Sequence, residues 1–308
     1  MHAIMELVQP FIASEGLTDP KPIGQGLEFV VFKAKSDRHG LVALRVPRHK
    51  VFRNVNDPST NAKQLIYQEL KIYELLRGGP VPVPEPLSLL EIRGYPAMLS
   101  TYVPDDGSEA HPEELGRLAA LIHSTQLPLG WNVELAAIEG TDFLTAMVQR
   151  VLRRFGQLAK EEPSVNAWAL TKNDLEPITV HLRHLPSCLL HMDLRDANLR
   201  NCKGKPVAVV DWTNALIGPA AVDFFRISEL SRPGDAFING YSTIKSPPKV
   251  TIEEEAFLRL DAALMLALVF ISEAPDQKRR EPSIRRVEEL ARMLRPTNNS
   301  APSSSSQI

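Results

Sequence analysis

His191-Met192-Asp193-Leu194-Arg195-Asp196-Ala197-Asn198, followed thirteen residues later by Asp211 at the close of the run VAVVD, is the stretch on which the reading of this chain turns. An Asp, a carboxamide five residues on and a second Asp at the end of a following strand supply oxygen atoms from two directions. Hard divalent cations such as magnesium take such ligands. The segment between Asn198 and Asp211 reads as short strand, turn (KGKP) and strand, so a hairpin returns its two ends to one edge. Asn198 and Asp211 are therefore the candidate metal ligands.

The order H-x-D-L-x-x-x-N matches the template of phosphoryl transfer, in which the Asp receives a hydroxyl proton and the Asn holds a magnesium ion. Asp193 is the candidate base. His191 reads as a side chain bonded to the backbone of its own loop. Arg195 either faces a transferring phosphate or is a solvated or Asp-paired arginine.

Upstream, residues 21–46 alternate apolar β-type runs with turns: PIGQG, LEFVVFKAK, SDRHG, LVALRV. Gly24 and Gly26 open this hairpin where a glycine turn can cover phosphates, and Phe29 stands where a third glycine would complete the pattern. Arg45 takes the basic position on the next strand. An arginine there bonds carboxylate or phosphate bidentately but is bulkier than lysine. NAKQLIYQELKIYELLR (61–77) has helical apolar spacing and stops at Gly78-Gly79, and it offers Glu69, with Glu74 as the alternative, as the partner of Arg45. LSLLEI and YPAMLSTYV read as two more strands about a tight turn.

After Val103 the polar connection DDGSEAHPEE leads into ELGRLAALIHSTQ, a helix; residues 141–185 and 251–295 also read as helical, and PTNNSAPSSSSQI as a disordered tail. The expectation is an α+β, two-lobed protein kinase-like fold. A small β-rich N-terminal nucleotide-binding lobe with one main helix spans 1–103, a larger mainly helical catalytic and substrate lobe spans 104–295, and the tail 296–308.

These motifs resemble the aminoglycoside phosphotransferase and choline kinase family over roughly residues 20–230. HMDLRDANL with VVDWTNALIGPAAVDF is the most specific element. The resemblance implies ATP and magnesium as cofactors, Asp193 as base, Asn198 and Asp211 on the metal, Asp223 bracing the loop, and an adenine-facing hinge at Ser100–Val103, Tyr102 included. Met192 stands where the family has glycine and Arg45 where it has lysine. The implied activity is transfer of the γ-phosphoryl group to a hydroxyl of a small molecule, hydroxylated or aminated. A pseudokinase, binding nucleotide or a partner through a run such as QKRREPSIRR, is the alternative.

The rest of the composition excludes more than it selects. A net charge of -2 and the lack of a basic stripe interleaved with aromatics argue against nucleic acid. The apolar run 262–271 is about half the roughly 20 residues a membrane span needs and reads as a buried core helix. The start MHAIMELVQPFIASEG, broken by Glu6 and Pro10, has no signal-peptide pattern, and Cys188 and Cys202 match neither a disulfide framework nor a zinc pair. A cytoplasmic protein with free thiols is expected. Only eleven residues separate Asp211 from Asp223, too few for the activation segment of a protein kinase, which points to a small acceptor.

Overall fold

The computed structural model describes residues 2–26, 28–53, 55–56, 60–131 and 142–295; the tail expected at 296–308 lies outside them. In chain order the elements are α1 (His2–Ser14), β1 (Thr18–Gln25), β2 (Phe29–Ser36), β3 (Gly40–Pro47), β4 (Val51–Phe52), β5 (Thr60–Asn61) and α2 (Ala62–Leu76). Then come β6 (Pro86–Ile92), β7 (Tyr95–Thr101), α3 (Pro112–Ile122), α4 (Phe143–Glu161), α5 (Lys172–Leu175) and α6 (Thr179–Leu182). The remainder is β8 (Ser187–Leu190), β9 (Leu199–Cys202), β10 (Lys205–Val209), β11 (Leu216–Pro219), α7 (Ala220–Ser231), α8 (Gly234–Ser242), α9 (Ile252–Leu268) and α10 (Gln277–Met293). Two compact units result: Met1–Ile138 with Leu185–Lys249, and Glu139–His184 with Val250–Ile308. Pro104 falls inside the first unit, between β7 and α3.

In the first unit an antiparallel sheet runs β1-β2-β3-β7-β6. Alternate residues of a strand share a face, and Val30, Phe32, Ala34, Val42, Leu44, Val46, Ala97 and Leu99 form one core with Val8, Phe11 and Ile12 of α1. The opposite parity carries Val31, Arg45 and Met98, aligned across β2, β3 and β7. That phase is what delivers Arg45 to α2. The expected β6–β7 hairpin closes through Arg93 and Gly94, both at positive φ, the two-residue turn whose twist suits a hairpin. Helix α1 was not among the sequence expectations; it forms around Pro10 because its apolar face has the sheet to cover.

Helix α2 starts where Asn61 caps the Lys63 N–H at 2.8 Å. Later in the unit, β9 pairs with β10 through the turn Lys203-Gly204, and β8 pairs with β11, a strand the sequence had not suggested. Helices α3 and α8 meet at two glycines. A Cβ on Gly116 would lie 2.0 Å from the Phe237 carbonyl oxygen, and one on Gly240 would lie 1.9 Å from that of Glu113. Backbone meets backbone there, so no side chain fits.

The second unit packs α4, α9 and α10. Asp261 of α9 is wholly buried and is held by Arg150 through two hydrogen bonds of 2.9 Å and by Arg154 at 3.0 Å. This neutralises a carboxylate whose burial alone would cost several kcal/mol, on the order of 5. Thr251 and Glu254 form a capping box at the start of α9, and the core it builds includes Ala262, Ala263, Leu264, Ala267 and Leu268. The basic run of α10 is engaged locally, Arg279, Arg280 and Arg285 pairing with Asp276, Glu162 and Glu281.

Candidate active site

Asp193, Asn198 and Asp211 come together on the β8 to β11 segment of the first unit. Asp193 accepts from Asn198 Nδ2 at 2.8 Å through one carboxylate oxygen and from Arg195 Nε at 2.9 Å through the other. Asn198 also donates to the Asp193 carbonyl at 2.8 Å. Its Nδ2 is thus used twice, and among the described residues its Oδ1 accepts nothing. Val210 N–H bonds the Asn198 carbonyl at 2.9 Å, so the β9–β10 ladder continues up to Asp211.

Asp211 sits in the left-handed region at φ 65°, an unfavourable setting for most L-residues that Asp tolerates. Its Oδ1 accepts from Arg45 Nη2 at 2.6 Å and from the Thr213 hydroxyl at 2.7 Å, while its Oδ2 has no partner among the described residues. Two uncommitted oxygens, Asn198 Oδ1 and Asp211 Oδ2, are the donor chemistry a magnesium ion takes. The residues fit the ion.

Helix α2 holds this corner. Glu69, wholly buried, accepts from the Asp211 N–H at 2.9 Å and the Tyr73 hydroxyl at 3.0 Å, and pairs with Arg45 at 3.3 Å. Its neighbour Gln68 donates to the carbonyls of Trp212, Thr213 and Ala215 at 2.9–3.0 Å. Burial pushes the Glu69 carboxyl above its usual range. At Asp211 burial acts in the same direction, but the Arg45 charge and the Thr213 hydrogen bond outweigh it and hold that carboxyl low. Arg45 itself is buried with the Phe29 ring 4.2 Å from its Cζ; burial works against its charge, and the two carboxylates more than restore it.

The backbone of the loop is pinned by α7. Asp223, wholly buried, accepts from the N–H of His191 at 2.8 Å and of Met192 at 3.0 Å, and Arg226 donates to the Met192 carbonyl. Met192 occupies φ 67°, the left-handed conformation that glycine adopts freely. Burial raises the Asp223 carboxyl, yet the hydrogen bond and charge of His123 and the loop amides bring it below its usual range. His123 lies between Asp223 at 3.3 Å and the Tyr241 hydroxyl at 2.8 Å. His191 packs its ring on Trp212, donates through Nε2 to the Val210 carbonyl at 3.1 Å and accepts the Asp193 N–H at Nδ1. Both of its ring nitrogens are committed to backbone.

The remaining sequence candidates lie on the sheet. Gly24 lies in β1 opposite Val31 and Gly26 follows that strand; a Cβ at either would meet only ordinary contacts at 3.6 Å, so the protein's own packing does not require glycine there. Arg48 Nε bonds the Gly26 carbonyl at 3.0 Å. Ser100 is buried on β7 opposite Ala43, and Tyr102 follows with Lys33 Nζ 4.3 Å from its ring centroid. Sequence reasoning did not single out Gln68, Tyr73, Thr213, His123 or Arg226. Only Thr213, two residues past Asp211, carried a local signal, since a hydroxyl at that spacing can turn back on the carboxylate.

The model of a family described as "Phosphotransferase enzyme family" matches residues 19–251. Comparison with curated proteins returns no match. Among solved structures, aminoglycoside phosphotransferase APH(4)-Ia is 14% identical with a TM-score of 0.62, covering 95% of this chain and 98% of that chain. A thermostable mutant of it in ternary complex with ADP and hygromycin B gives 14% and 0.61, covering 94% and 98%. Spectinomycin phosphotransferase APH(9)-Ia, in complex with ADP and spectinomycin, gives 12% and 0.58, covering 94% and 97%. No helix among the described residues is long and apolar enough to cross a membrane. The chain belongs to the phosphotransferase enzyme family and has the protein kinase-like α+β fold of small-molecule kinases.

Proposed function

We propose that this phosphotransferase moves the γ-phosphoryl group of ATP to a hydroxyl of a small molecule. The observation that carries the reading is Asn198, which spends the N–H bonds of its amide nitrogen on Asp193 and leaves its oxygen, with Asp211 Oδ2, for a cation. Asp193 takes the proton of the acceptor hydroxyl as that oxygen attacks the γ-phosphorus, and ADP leaves as the bond to the bridging oxygen breaks. When bound at Asn198 and Asp211, magnesium supplies positive charge against the phosphate oxygens. Arg195, half exposed, swings between Asp193 and the transferring group. Gly24 and Gly26 admit the triphosphate close to backbone. Ser100 and Tyr102 meet the base. The acceptor belongs to the hydroxylated and aminated compounds, a class supported by neighbours whose complexes hold hygromycin B or spectinomycin. A cytoplasmic setting, where ATP is plentiful, belongs to the same reading.

The Arg45–Asp211 bond favours a second reading, a nucleotide-binding module without turnover, because it occupies one oxygen of the metal-binding Asp. ADP release separates the two. The protein is incubated with magnesium, ATP and a panel of hydroxylated and aminated metabolites, beside an Asp193→Asn control. Acceptor-stimulated release lost in the control is the expected result. Nucleotide binding with no Asp193-dependent release across the panel selects the second reading, and no nucleotide binding removes both.

A further inference from the structure

The guanidinium of Arg45 is shared between two carboxylates. Nη2 donates to Asp211 Oδ1 at 2.6 Å, Nη1 and Nε face Glu69 at 3.3 Å, and Phe29 covers one face at 4.2 Å. A planar fork bridges two carboxylates on different edges in this way; an ammonium must gather its acceptors around one nitrogen at the end of a flexible stem. Asp211 is fixed at the same time by its N–H bond to Glu69 and by Thr213. Arg45 therefore supplies to Asp211 what a metal ion would otherwise supply, positive charge at the carboxylate.

We propose that Arg45 is a positioning residue that serves as the resident counter-cation of Asp211, so that the free protein rejects a bare divalent cation and accepts metal only together with nucleotide. The inference rests on Asp211 being the cation ligand of the proposed function. A divalent ion approaching Oδ2 meets a guanidinium on the other oxygen of the same carboxylate, and two like charges sharing one partly buried carboxylate repel. A triphosphate changes the balance. Its oxygens are bidentate acceptors suited to the guanidinium, so Arg45 shifts from Asp211 to phosphate while the cation takes over the carboxylate. Glu69 keeps its hold on Arg45 and on the Asp211 N–H throughout. Metal and nucleotide then bind with positive coupling, and by linkage each strengthens the other by the same factor.

The test is Mn2+ titration followed by electron paramagnetic resonance, with and without ADP, on the native protein, Arg45→Lys and Arg45→Gln. Lysine keeps a charge beside Glu69 but gives up Asp211; glutamine removes the charge. Bare-Mn2+ affinity is expected to rise on the order of tenfold in Arg45→Gln and by a smaller factor in Arg45→Lys, with the enhancement by ADP shrinking to match. Adding Asp211→Asn to either variant is expected to abolish the gain. Circular dichroism melting establishes which variants fold, and Arg45→Lys decides the matter if the glutamine variant does not. Unchanged or weaker bare-Mn2+ binding in a folded variant, a gain that survives Asp211→Asn, or no Mn2+ bound by any form overturns the proposal. ADP-linked Mn2+ binding without Asp193-dependent turnover would instead count against the catalytic reading and leave the Arg45 latch standing.

Discussion

Replacing Gly116 with alanine puts a methyl group where α3 and α8 have none to spare. The new Cβ would stand 2.0 Å from the Phe237 carbonyl oxygen, 2.9 Å from its carbonyl carbon and 2.8 Å from the Tyr241 nitrogen. Every one of these atoms is backbone, so no rotamer change relieves the clash. The helices must part by about 1 Å before the tightest contact is tolerable, and overpacking of this kind costs about 1–3 kcal/mol, with a rigid neighbour at the upper end. Alanine returns about 1 kcal/mol through its better helix propensity. The net loss is about 2 kcal/mol, a fall of roughly 3 °C in Tm for a protein of this size. The control is Gly156→Ala: Gly156 is exposed inside α4 and a Cβ there meets nothing within 4 Å. That variant gains the propensity without the clash and melts about 1–2 °C higher. Thermal unfolding by far-UV circular dichroism reads both. The separation also carries Tyr241 away from His123, the partner of Asp223, so ADP release falls in the Gly116 variant. If Gly116→Ala melts at or above the native protein, the close crossing described here is wrong.

Two further outcomes follow from the loop. Met192 is buried at positive φ, so Met192→Ala loses the side chain and keeps the strain, whereas Met192→Gly loses the side chain and sheds about 1 kcal/mol of strain. Urea unfolding is expected to rank native above Gly and Gly above Ala; an Ala variant as stable as the Gly variant contradicts the backbone assignment. Asp223→Asn replaces a charged acceptor of two loop amides and an imidazole, at about 1.5–3 kcal/mol for each charged hydrogen bond weakened. The folded carboxyl lies below its usual 3.8, so its ionised form stabilises the protein above that pH, and the contribution is lost as pH falls through the lower folded value. Urea midpoints measured from pH 5 downward should therefore drop more steeply in the native protein than in Asp223→Asn, and parallel curves would refute the linkage.

The hairpins of β1 to β3 and β6–β7, helix α2 and the loop from His191 to Asp211 were legible because each rests on local patterning: period-two apolar runs, positive-φ turns, a capped amphipathic helix. The pairing of Arg45 with Glu69 was legible too, from the kinase pattern of a basic strand residue oriented by an acid on the next helix, with Glu74 left as the alternative that the structure does not use. What escaped depends on distant sequence. Arg45 reaches Asp211 across a separation of 166 residues and His123 meets Asp223 across 100. Nothing local to either partner announces such a bond. β11 is four residues ending in Gly-Pro and exists only because β8 lies beside it. Helix α1 contains a proline, which lowers its local helical signal, and its support is the sheet face it covers. The close approach at Gly116 and Gly240 also joins two segments far apart in the chain.

Asp223 has a consequence for motion. Its two oxygens take the amides of His191 and Met192 and the His123 ring, and Arg226 takes the Met192 carbonyl. The hydrogens on those two amides cannot meet solvent unless a buried carboxylate gives up its partners just beyond the ends of α3 and β8 together. In native-state hydrogen exchange they should therefore persist with the slowest amides of the sheet rather than with the connecting loops, since a group opens only with the cooperative unit that encloses it. The segment bearing Asp193 is a loop by its dihedral angles and a core element by its opening free energy.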